Sequence, residues 1–176
     1  MAVEVATAVD ADLAELAGVA ARTFPLACPP SVTPENIAAF IDEHLSEDRF
    51  RDYLADPDRV VLSAREDARI VGYVMLIRGV PDDEDVQRAV PLRPAIELSK
   101  MYVLPGSHGA GVSAALMSSA LNRANELDAR CVWLGVNQNN QRAQRFYTKH
   151  GFSINGTKTF RLGTGIENDY VMVRPV

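Results

Sequence analysis

A chain of 176 residues suffices for one domain, 1–176, that buries roughly two-thirds of the surface its unfolded form exposes. Hydrophobic content of 47% is that of a globular protein, no stretch approaches the ~20 apolar residues of a membrane span, and a formal charge of -5 at pH 7 excludes the basic face of a nucleic-acid binder. The start Met-Ala-Val-Glu-Val lacks the basic and apolar blocks of a secretory signal, while Cys28 and Cys131 lie in unrelated settings. With only scattered histidines besides, the expectation is a cytoplasmic protein with reduced thiols and no metal.

Val3, Val5 and Ala8 alternate with Glu4 and Thr7 as a first strand, with Asp10 placed to cap a helix whose inner face is Leu13, Leu16, Ala17 and Ala20. That helix should end near Phe24-Pro25, followed by a proline-rich break. Thr33-Pro34 then gives an N-cap with proline at the first helical position, and Ile37, Phe40, Ile41, His44 and Leu45 recur at helical spacing. His44 on that face is expected to be a packed residue rather than a substrate contact. A shorter helix from Ser46 turns Phe50 and Leu54 inward and stops at Asp56-Pro57-Asp58.

Residues 60–64 and 70–77 read as a hairpin with a long charged turn over 65–69, and Gly72 marks either a bulge or close packing. Residues 79–94 read as a polar loop; its acids Asp82, Asp83, Glu84 and Asp85 are more simply solvated than a polyamine lure. Residues 101–104 form a strand stopped by Pro105-Gly106, and after Gly109 and Gly111 comes a helix with Val112, Leu116, Ala120, Ala124 and Leu127 inward. The apolar run 131–136 is a strand covered on both faces. Asn139 or Asn140 caps a helix that Gly151 stops, and the closing strands turn at Gly163-Thr-Gly165. The order predicts an α/β (mixed α+β) domain: a central, mostly antiparallel twisted sheet with helices on both faces.

A strand running into a glycine turn that opens a helix offers backbone N–H groups and a positive dipole end to a phosphate. Glycine pairs mark ordinary turns too, but here a second segment follows: Asn140-x-x-Ala143-x-x-Phe146-Tyr147-x-x-x-Gly151-Phe152. Together, residues 105–116 and 140–152 resemble the two acyl-CoA motifs of the GCN5-related N-acetyltransferases (GNAT), and the C-terminal segment is similar to the bacterial spermidine/spermine branch. At the cofactor motif His108 stands where the family has Arg or Gln, and Ser113 where it has Gly or Ala.

The resemblance implies a GNAT-like domain using acetyl-CoA as co-substrate, with the pantetheine arm along Met101, Tyr102 and Val103. The pyrophosphate would sit on the backbone of His108, Gly109, Ala110, Gly111, Val112, Ser113 and Ala114, with Asn140, Ala143 and Phe146 completing the site. Tyr147 is implied as the acid that protonates the leaving thiolate and Glu97 as the base acting on the amine. The expected acceptor is a polyamine or other small amine, with no nucleic-acid or membrane partner, the protein acting as monomer or homodimer. Rival expectations are a protein N-terminal or lysine acetyltransferase and a non-catalytic acyl-CoA sensor. If His108 contacts phosphate, CoA affinity measured by calorimetry should weaken from about pH 6 to pH 8 as the imidazole loses its charge, and in His108→Ala that dependence should vanish.

Overall fold

The structure, a computed structural model, describes residues 2–176 apart from the side chains of residues 108–110. Its centre is a seven-stranded sheet in the order β1-β2-β3-β4-β5-β7-β6. The strands are β1 (Glu4–Thr7), β2 (Arg59–Glu66), β3 (Arg69–Arg78), β4 (Ala95–Val103), β5 (Cys131–Asn137), β6 (Ser153–Leu162) and β7 (Gly165–Pro175). The sheet is antiparallel throughout except between β4 and β5, which the helix α5 (Val112–Glu126) connects as a crossover.

Burial follows from alternation along the strands. On one face α5 lays Val112, Leu116, Met117, Ala120 and Ala124 against Leu62, Val74, Ile96, Leu98, Val132 and Leu134, with α6 (Gln141–Lys149) at the edge of the same cluster. The opposite face is covered by α1 (Leu13–Ala27), α2 (Pro34–His44) and α3 (Glu47–Ala55), whose Leu16, Val19, Phe24, Phe40 and Phe50 meet Val61, Tyr73 and Met75. A short helix, α4 (Glu84–Ala89), seats Val86 and Ala89 over Trp133, Val171 and Val173.

Several sequence expectations are corrected. The β2–β3 turn is not five residues but Asp67-Ala68, both at positive φ (52° and 65°), the left-handed pair whose twist matches that of a hairpin. The loop 79–94 contains α4, because Asp83 accepts from the amides of Asp85 and Val86 and the sheet buries the helix's apolar side. The first helix runs past Pro25 to Ala27, since a proline so near the end removes one backbone donor only. Its start is tied by Asp12, not Asp10: the Asp12 carboxylate accepts from the Val9 amide at 2.9 Å and pairs with Arg65. In α3 the buried residues are Phe50 and Tyr53, with Leu54 partly covered beside them.

Both central strands β3 and β4 carry an irregularity. Met75 pairs with Lys100 while Leu76 pairs with Leu98, so Ser99 is an extra residue in β4. Near Gly72 both sequence alternatives hold: Val71 is skipped between the Arg65–Ile70 and Ala64–Gly72 pairs, and a Cβ on Gly72 would lie 2.9 Å from the Tyr102 carbonyl and 3.2 Å from Leu116. Gly72→Ala should therefore push α5 off the sheet and lower stability by about 2 kcal/mol, measured by urea unfolding.

Candidate active site

β4 and β5 are joined by a short ladder, Ala95–Cys131, Ile96–Val132 and Glu97–Trp133, and then separate while both strands continue. β5 is held by β7 along its whole length and β4 by β3 over residues 96–103, so neither closes the gap. The result is a cleft of about 1040 Å³ that passes through the sheet. Its floor is β4 from Glu97 to Val103, and its other side is Gly135, Val136 and Asn137 with Asn140, Ala143, Phe146 and Tyr147 of α6. Residues 98–102 present to this gap a strand edge with no ladder to β5, a surface to which an extended chain can add as a strand.

At one end of the cleft the glycine turn is a 3-10 helix, Pro105–Ala110, leading to Gly111 at φ 77°, which is the N-cap of α5. The left-handed conformation at Gly111 is why a residue without a Cβ stands there. The first-turn amides of a fifteen-residue helix thus open beside Gly111, Ser113 and Ala114, all of which line the cleft, while Val112 is buried in the core. The expectations for the side chains of His108, Gly109 and Ala110 lie outside the described residues.

In α6 the cap is Asn140, whose side-chain oxygen accepts from the Ala143 amide at 3.1 Å. No residue of this helix is fully buried, although Ala143, Phe146 and Tyr147 make an apolar face. They are half-covered because the cleft runs in front of them. Tyr147 packs edge-on to Phe146 (5.6 Å) and Phe152 (5.8 Å), and burial pushes its phenol up to about 12, so it holds its proton at neutral pH.

The other mouth of the cleft opens on the α1–α2 side. The extra residue Ser99 reverses the alternation of β4, so that Glu97, Lys100 and Tyr102 share the face that carries Ile77, Met75 and Tyr73. Strict alternation from Glu97 would have put Lys100 on the α5 side, so nothing in the residue pattern points to it. Lys158 of β6 reaches over Gly135 to pair with Asp169 of β7 at 3.5 Å, and a Cβ on Gly135 would collide with the Lys158 Cε. Phe24 and Phe40 stack at 4.5 Å, Phe160 lies 5.6 Å from Phe40, and together they form an aromatic wall. Lys100, Lys158, Asp169 and this wall are the cleft groups that sequence reasoning missed.

Burial raises the Glu97 pKa, against the opposing pull of Lys158, Lys100 and Arg59. Burial also lowers Lys100 from 10.5 to about 8; Glu97 resists that shift and Arg59 adds to it. The Asp169 pKa is raised by burial despite its Lys158 partner. His44 is half-exposed against Phe40 and outside the cleft lining, and the acidic run 82–85 caps α4 away from it.

A model of the acetyltransferase (GNAT) family matches residues 24–152. The chain belongs to that family and is an N-acetyltransferase that uses acetyl-CoA. It is 64% identical over 165 residues, 94% of this chain and 97% of the relative, to an uncharacterized N-acetyltransferase of Mycobacterium tuberculosis. It is 24% identical to an uncharacterized N-acetyltransferase of Lactobacillus delbrueckii, over 92% of this chain and 90% of that one. In fold it resembles the PaiA N-acetyltransferase of Thermoplasma acidophilum in complex with coenzyme A (TM-score 0.79, 19% identity, 100% of both chains). It also resembles the ribosomal-protein-S18-alanine N-acetyltransferase of Escherichia coli (TM-score 0.69, 15% identity, 99% of this chain and 94% of that one).

Because the folded pKa of Lys100 lies below its ordinary value, the ammonium costs stability wherever both states are protonated. That cost is full below about pH 8 and gone above 10.5. Lys100→Met should raise the melting temperature at pH 7 by about 3 °C, a gain that shrinks as pH climbs through that window in calorimetric scans.

Proposed function

We propose that this domain, as monomer or homodimer in the cytoplasm, acetylates a small primary amine, a polyamine or another of that class, by direct attack in a ternary complex. The observation that carries this is the opening between β4 and β5, which brings Glu97 from one face of the sheet and Tyr147 from the other to a single cleft. Acetyl-CoA supplies the activated acetyl thioester. The similarity of the closing segment to the spermidine/spermine branch is what favours polyamines within the class.

Each task then has its residues. The edge of β4 at Met101, Tyr102 and Val103 aligns the pantetheine arm as an added strand, and its amides face the thioester carbonyl as charge develops there. Backbone groups from His108 to Ala114 cradle the pyrophosphate, the Ser113 hydroxyl adding a donor, with Asn140, Ala143 and Phe146 closing the α6 side. Glu97 takes the proton of the incoming ammonium, a task its raised pKa suits. Tyr147, protonated up to about pH 12, gives its proton to the departing sulfur.

Thiol release from acetyl-CoA with a panel of amines tests the assignment. Glu97→Gln should lower kcat/KM about 10- to 100-fold at pH 7, with partial recovery by pH 9 where more free amine is present. Tyr147→Phe should lower kcat about 100-fold while CoA binding, read by calorimetry, stays within a few-fold of wild type. Unchanged rates would remove the residue concerned from the mechanism.

A further inference from the structure

The charges of the acceptor mouth pair off unevenly. Lys158 is held by Asp169 at 3.5 Å, and Arg59 by Asp56 at 3.1 Å while its guanidinium lies over the Tyr53 ring. Two charged groups are left over: Glu97 and Lys100, on the same face of β4, each lining the cleft and each without a hydrogen bond or ion pair among the described residues. They sense each other electrostatically but do not touch.

A ligand that meets both charges must carry both signs. Its amine belongs at Glu97, the proposed base, and an anionic group belongs at Lys100. A polyamine of several positive charges would find one free carboxylate and a repelling ammonium, both poorly solvated, where like charges cost most. Beside the two charges stands the aromatic wall of Phe24, Phe40 and Phe160, with Lys158 over Phe160 at 5.4 Å. That surface suits an apolar or aromatic substituent.

We propose that the acceptor is a free amino acid with an apolar or aromatic side chain, its carboxylate bound by Lys100, its amine presented to Glu97 and its side chain laid on the phenylalanine wall. This rests on the acetyltransferase assignment above, keeps its small primary amine, and replaces the polyamine within that class by a zwitterion, because the two charges left over in the cleft are of both signs. The reaction forms the C–N bond from the neutral amine to the acetyl carbon and breaks the C–S bond of acetyl-CoA. One ammonium proton passes to Glu97 before attack; as the C–S bond breaks the thiolate takes the Tyr147 proton, and the second proton of the newly acylated nitrogen returns to the Tyr147 phenolate. N-acetyl amino acid and CoA thiol are the products, and Glu97 releases one proton to solvent. A carboxylate at Lys100 also restores, in the bound state, the partner that burial denies the ammonium.

The test measures kcat/KM by thiol release for L-phenylalanine, L-leucine and L-methionine, for the amide of each, for the corresponding decarboxylated amines, and for spermidine. At pH 7 the acids should exceed their amides at least tenfold, and in Lys100→Met, checked for folding by circular dichroism, that ratio should fall to about one. Lys100→Arg should keep a ratio above one, since it keeps the positive charge. Calorimetry on CoA-loaded protein should show the same order, L-phenylalanine binding at least tenfold more tightly than its amide. Amides or decarboxylated amines used as well as the acids, or spermidine preferred, overturns the zwitterion and leaves the acetyltransferase assignment standing. Amides preferred would mean that the acceptor is a peptide N-terminus. No thiol release with any amine sinks both.

Discussion

Everything functional in this molecule depends on two neighbouring strands failing to stay together. A parallel pair normally keeps its ladder to the end, but β4 and β5 share only the pairs up to Glu97–Trp133. Below that point they are clamped by Trp133, fully buried with its indole N–H donating to the Gly79 carbonyl at 3.2 Å and roofed by α4. Above it β5 follows β7, to which it pairs along its whole length, and β4 follows β3. Backbone amides and carbonyls on the parted edges are expensive to leave without partners, so a sheet opened in this way is poised for a ligand that supplies them.

The opening also joins two chemically different half-sites. On the α5–α6 side lie a helix N-terminus entered through Gly111 and the half-covered face of α6, with a phenol that keeps its proton. On the α1–α2 side lie aromatic rings and a handful of buried charges, two of them already neutralised by each other across Gly135. A sheet between them would normally insulate the two. Here the slot lets Tyr147 from one face and Glu97 from the other line the same cleft, so that in the mechanism proposed above proton delivery to sulfur and proton removal from nitrogen lie on opposite sides of the reacting carbon.

Most of the architecture was legible because long amphipathic helices and continuous apolar strands declare themselves locally: α5, β5, the cap at Asn140 and the stop at Gly151 all fall where their residues suggest. The illegible remainder depends on tertiary partners. α4 is too short to announce itself, and exists because Asp83 caps it and Trp133 with Val171 receives its two apolar residues. The tight Asp67-Ala68 turn hid behind a charged run, since Ala at positive φ carries no turn signal. The lining of the candidate cleft was legible where motifs carried it, at Gly111, Asn140 and Tyr147. It was opaque at Lys100 and Lys158, whose positions follow from a register shift and from a side chain that crosses a neighbouring strand.

The extra residue at Ser99 gives β4 two reading frames. Before it, odd positions such as Glu97 look toward the α1–α2 side; after it, even positions such as Lys100 and Tyr102 do, while Met101 and Val103 turn to the α5 side. Mutational tolerance along this strand should therefore switch parity in mid-strand. Excising a single residue here would be a frameshift in three dimensions, sending Lys100 and Tyr102 to the α5 side and Met101 and Val103 to the α1–α2 side.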